Sequence, residues 1–131
     1  MKYDKSEESY GNYDKLADML AIQLELNERI QKKYNLPDFS DKDYWLRQYV
    51  LSMFSEIGEL MESFNWKHWK RSKELNIDNI KEEAIDIQHF LNSIYLVLGM
   101  NADDVYAFYI HKNKENHERQ DGKIKGREDY E

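Results

Sequence analysis

Residues 43–64 read DYWLRQYVLSMFSEIGELMESF, and they decide the fold class. Leu46, Tyr49, Val50, Met53, Ile57, Leu60, Met61 and Phe64 recur at three- and four-residue steps, the spacing that lines apolar side chains along one face of an α-helix. The helix should begin near Asp43, behind the possible caps Ser40 and Asp41, and end near Asn65. On a helical wheel the stripe centres on Leu46, Met53, Ile57 and Phe64. Glu56 falls at its border beside Tyr49, and Glu59 lies about 60° beyond it.

Three more amphipathic stretches flank this one. Upstream, residues 13–35 carry Leu16, Met19, Leu20, Leu24, Leu26 and Ile30, and Pro37 forbids continuation. Downstream, WKHWKRSKELN (66–76) is an aromatic, basic connection. Asp78 or Asn79 should then cap a third helix with Ile80, Ala84, Ile87, Leu91, Ile94 and Leu98, stopped by Gly99. Asn101, followed by Asp103 and Asp104 where the helix dipole favours anions, should open a fourth helix through about Glu118. One proline and five glycines leave little punctuation for a strand-rich fold. The expectation is an all-α protein with a four-helix bundle-type core, one domain over residues 1–131, with 1–12 and 120–131 as mobile tails.

Charge and composition narrow the function. Nineteen basic against 26 acidic residues give a net charge of −7, which disfavours binding to a nucleic-acid polymer. Cysteine is absent, so disulfides, thiolate zinc sites and cysteine nucleophiles are excluded. Apolar runs are broken by charge within a few residues and MKYDKSEES lacks an apolar leader region, so no membrane contact and a cytoplasmic location are expected.

The informative residues are acids at the edge of apolar stripes. Glu56 and Glu59 are neighbours at i and i+3, and Glu83 and Asp86 repeat the pattern on the third helix. Carboxylates held together repel one another and lose hydration, and a hard divalent cation relieves both costs. Magnesium fits best, since it takes a few carboxylates and shares its other positions with water and phosphate. Spacing alone fits a solvated, charged face equally well. Asp86 and His89 resemble half of a di-iron acid-x-x-His pair, but Glu62 rather than a histidine stands at +3 from Glu59, and His68, His111 and His117 have no ligand spacing. Lys67, Lys70, Arg71 and Lys73 form one basic cluster, and Lys112, Lys114, Arg119, Lys123, Lys125 and Arg127 another. Acids framed by such cations suit phosphate chemistry, and no glycine-rich phosphate loop competes. Trp66 and Trp69 offer faces for stacking a base, and the amides of Gln23 and Asn27, one turn apart, can read a base edge.

Taken together, LAIQLELN (20–27), SEIGELMESFNWKHWK (55–70), EEAIDIQHFLNS (82–93) and YIHKNKENHERQDG (109–122) resemble the successive motifs of the dimeric, all-α dUTPases, within the MazG-like nucleoside triphosphate pyrophosphohydrolases. The resemblance implies hydrolysis of dUTP to dUMP and pyrophosphate with magnesium, by a homodimer. It implies metal ligands at Glu56, Glu59, Glu83 and Asp86, with Glu56 also orienting or deprotonating the attacking water. Gln23 and Asn27 would face the uracil and sugar, with Trp66 or Trp69 lining that pocket. Lys112, Asn116 and Arg119 would hold the substrate's phosphates, and Lys70 would be a further substrate-binding residue. The chain differs from larger members in having no insertion between the third and fourth helices, and DGKIK (121–125) replaces their more usual ending.

Overall fold

A computed structural model describes residues 14–123, and these form helices and connections with no strand. The helices are α1 (Lys15–Lys33), α2 (Lys42–Glu62), α3 (Ile77–Val97) and α4 (Ala102–Gln120). The expected tail at 1–12, the start of the first helix at Tyr13 and residues 124–131 lie outside the described part. Gln120 belongs to α4, and a turn with Gly122 at φ 72° follows it. The chain divides into two compact units, Met1–Gly99 and Met100–Glu131.

In the first unit each helix end has a local cause. Asp14 caps α1, its Oδ1 accepting from the Leu16 and Ala17 amides at 3.0 and 3.2 Å. After α1, Asn35 takes φ 50°, and Gln31 Nε2 donates to the Leu36 carbonyl at 2.8 Å, turning the chain towards Pro37. Asp41 caps α2 through the Tyr44 amide. The cap of α3 is Asn76, not Asp78 or Asn79: its Oδ1 accepts from the Asn79 amide at 3.1 Å, while the Asn79 side chain is turned towards Ser63 Oγ. Gly99, at φ 73°, ends α3 as expected. A side chain there would meet nothing within 4 Å, so the left-handed backbone is what requires glycine.

α3 packs against both α2 and α1. The core is built on Trp45, Tyr49 and Val97, with Leu36, Phe39, Tyr44, Leu46, Phe90 and Ile94 against them. Trp45 stacks on Phe39 at 4.7 Å between centroids, and its Nε1 donates to the Pro37 and Asp38 carbonyls, both at 3.1 Å. Removing such an indole costs about 3–5 kcal/mol. This anchor corrects the helical wheel. The buried line of α2 runs through Trp45, Tyr49 and half-buried Ser52 and Glu56, whereas Ile57 and Phe64, expected at the stripe's centre, are 44% and 45% exposed. The rotation carries Glu56 from the border of the apolar stripe onto the face that meets α3.

In the second unit, α4 opens with a capping box. Asn101 Oδ1 accepts from the Asp104 amide at 2.8 Å, and Asp104 accepts from the Asn101 amide at 3.0 Å.

Candidate active site

Packing of α2 on α3 brings Glu56, Glu59 and Glu83 together, with one carboxylate oxygen of each within 4.8 Å of the others. Glu56 and Glu83 each place Oε2 out of contact with solvent and without a hydrogen-bond donor. Burial, a hydrogen bond to Glu59 and the charges of Glu59, Asp86 and Glu83 push Glu56 up to about 7. Burial and the charges of Glu59 and Asp86 also raise Glu83. Three converging acids with two orphaned oxygens are the donor set a hard divalent cation takes, so the residues fit magnesium. Asp86, outside the close triad, stands near enough to raise both neighbours.

A cavity of about 370 Å³ begins at this cluster. Glu56 and Asp86 line it together with Gln23, Asn27, Ser93, Trp45, Tyr49 and Phe90. Burial pushes the Tyr49 phenol up to about 12, so it stays protonated at neutral pH. Gln23 and Asn27 are 6% and 7% exposed, polar side chains buried on the inner face of α1. Gln23 Nε2 donates to Asn27 Oδ1 and Asn27 Nδ2 donates to Ser93 Oγ, each at 3.0 Å.

Trp66 and Lys70 line a different cavity, of about 250 Å³, in the connection between α2 and α3, together with Lys67, Arg71 and Lys73. Asn65 shapes this loop by donating to the Lys73 carbonyl at 2.7 Å and accepting from the Lys73 amide at 2.8 Å. Trp69 meets Trp66 edge-on at 5.8 Å and lines neither cavity.

Lys112, Asn116 and Arg119 belong to the second unit and share one face of α4. Arg119 donates to Asn116 Oδ1 at 2.7 Å, and Lys112 donates to Glu115 at 2.8 Å. Glu115, which the sequence reading passed over, also pairs with His111 at 3.3 Å and Arg119 at 3.6 Å. Its hydrogen bond from Lys112, aided by the charges of Lys112, His111 and Arg119, holds its carboxyl below the usual range. The i, i+3 spacing from Lys112 and the i, i+4 spacing to Arg119 were the available signal. Ser93 was passed over too, because a lone serine in an apolar helix gives no signal until its partner on α1 is known.

Among the described residues, no helix is long and apolar enough to cross a membrane. Comparison with known proteins finds a dCTP pyrophosphatase of Enterobacteria phage T4, 41% identical over 101 residues, covering 59% of each chain. A DNA replication protein of the same phage is 38% identical over 94 residues, covering 53% of this chain and 24% of its own. A dCTP pyrophosphatase of Enterobacteria phage LZ5 is 36% identical over 76 residues, covering 49% and 44%. The chain thus spans a quarter to about three-fifths of the length of these relatives. No solved structure gives a significant match. The family model described as dUTPase matches residues 15–98, the helices that carry both the acid cluster and the amide pair, and the chain belongs to the all-α dUTPase family.

Proposed function

We propose that the protein is a magnesium-dependent pyrophosphohydrolase of pyrimidine deoxynucleoside triphosphates, converting dUTP to dUMP and pyrophosphate. The observation that carries this reading is the continuity of the acid cluster with the amide-lined cavity: Glu56 belongs to both. A base held between Gln23, Asn27 and the aromatic wall directs its triphosphate towards acids suited to a metal.

Glu56, Glu59, Glu83 and Asp86 would hold the cation. When bound, magnesium supplies positive charge against triphosphate oxygens. The chain's own residues do the rest. Glu56, which belongs to both the acid cluster and the cavity, orients the attacking water and accepts its proton. Tyr49 and Phe90 exclude water from the base end. Lys70, Lys112, Asn116 and Arg119 are the proposed phosphate partners, and Trp66 or Trp69 a stacking partner. A homodimer accords with the exposed apolar row of Leu51, Phe54, Ile57 and Met61 along α2, a surface that a two-fold interface would cover.

A second reading, with dCTP as substrate, is favoured by the two relatives named dCTP pyrophosphatase. Pyrophosphate release measured over all common nucleotides, with magnesium and with chelator, tests both. Release from dUTP, dCTP or both, abolished by chelator, is expected. Release from purine nucleotides alone, or release indifferent to chelator, would overturn the proposal.

A further inference from the structure

The hydrogen bonds that tie α3 to the amide pair run in one direction only. Ser93, 1% exposed, donates its single hydroxyl proton to the His89 carbonyl one turn back, at 2.8 Å. A carbonyl can only accept, so Ser93 Oγ has only lone pairs left to offer. The Asn27 atom 3.0 Å away must therefore be Nδ2. This turns Asn27 Oδ1 towards Gln23, which can meet an acceptor only with Nε2, again at 3.0 Å. Turning over either amide alone would set two oxygens or two N–H groups against each other, at a buried position where an unmade hydrogen bond is costly. Gln23 is left with Oε1 and one Nε2 hydrogen, and Asn27 with one Nδ2 hydrogen, for an occupant of the cavity they line.

That polarity matters for pyrimidines. Uracil presents a donor at N3–H and an acceptor at O4, whereas cytosine presents an acceptor at N3 and a donor at N4. A planar amide can pair with either edge, but it must turn over to change from one to the other. A freely turning amide reads both bases, and an amide held from behind reads one.

We propose that Ser93 is a specificity-determining positioning residue: by fixing the Asn27 and Gln23 amides through the His89 carbonyl, it sets the discrimination between dUTP and dCTP. The inference rests on the reading of this cavity as the base site. Ser93 is 1% exposed at the wall of that cavity, with its hydroxyl engaged by Asn27 and the His89 carbonyl, and it acts through Asn27.

The test compares kcat/KM for dUTP and dCTP, with magnesium, in the wild type, Ser93→Ala and Ser93→Thr, with thermal melts to confirm folding. The wild type should favour one base by about 100-fold or more, as a site built on paired hydrogen bonds does. Ser93→Ala removes one oxygen and adds no bulk. It should bring the ratio to within about tenfold, chiefly by gain on the disfavoured base. Ser93→Thr keeps a hydroxyl able to donate to the i−4 carbonyl and should keep the preference. Equal losses on both bases in Ser93→Ala, leaving the ratio unmoved, would mark a merely structural role and overturn the proposal. So would a wild type that treats the bases alike. Folded wild type that neither binds nor hydrolyses dUTP or dCTP would overturn the base-site reading itself, and this inference with it.

Discussion

The acid face of α2 and α3 and the polar face of α4 carry carboxylates in opposite states. Glu56 and Glu83 are crowded by other acids, and each has a shielded oxygen that no donor meets. Glu115 sits among Lys112, His111 and Arg119 and is held below the usual carboxylate range. Crowded acids without cations cost the fold free energy that a bound cation would return. An acid already matched by its own helix has no such need, and it engages the cations a phosphate would otherwise meet. What singles out the candidate site is therefore not acidic content but electrostatic dissatisfaction.

The largest effect that could break this contrast is on turnover. Glu83→Gln or Asp86→Asn should lower kcat at least about 100-fold in a pyrophosphate-release assay, since each removes a charged candidate metal ligand. Glu115→Gln should stay within about tenfold. Comparable losses from both faces would remove the distinction.

Magnesium should separate the faces next, in melts without substrate. In chelator Glu59→Gln should melt above the wild type, because one repelling charge is gone. With magnesium the order should reverse, as binding to the native state stabilises by about 2.7 kcal/mol at a hundredfold excess over Kd. Parallel shifts of both proteins would show that the acids do not converge on a cation.

The pH dependence of the chelated protein sharpens the comparison further, because the two faces have opposite signs. Glu56 has a folded pKa of about 7 against an ordinary 4.5, so the native state holds the extra proton and stability should fall as pH rises from about 4.5 to about 7. Glu115 is lowered from 4.5, so its contribution is present above that pH and lost as pH falls below it. Glu56→Gln should flatten the neutral limb of Tm against pH, and Glu115→Gln the acid limb. A neutral limb unchanged in Glu56→Gln would contradict the crowded environment assigned to that residue.

The smallest effect concerns α4. Lys112 is exposed and already bonded to Glu115, so Lys112→Ala should raise KM only about two- to fivefold, the scale of a surface ion pair. A hundredfold rise would show that Lys112 leaves Glu115 to meet substrate.

Four helices, the capping of α4 by Asn101 and the stop at Gly99 were legible in the sequence because they depend on residues within a turn or two of one another. The paired acids were legible for the same reason: i and i+3 share a helix face in any fold. What a single helix cannot specify is its rotation about its own axis once it packs. Trp45, clasped by the Pro37 and Asp38 carbonyls and stacked on Phe39, turned α2 so that Ile57 faces outward and Glu56 inward. The cap of α3 moved to Asn76 for a related reason, since several polar residues could serve and the contact of Asn79 with Ser63 lies across the loop. The convergence of Glu56 with Glu83, and the bond from Asn27 to Ser93 66 residues away, depend on helices meeting across the core. Local sequence chose which residues could carry the chemistry; packing chose which of them met, because only contact between helices withdraws solvent and fixes donors against acceptors.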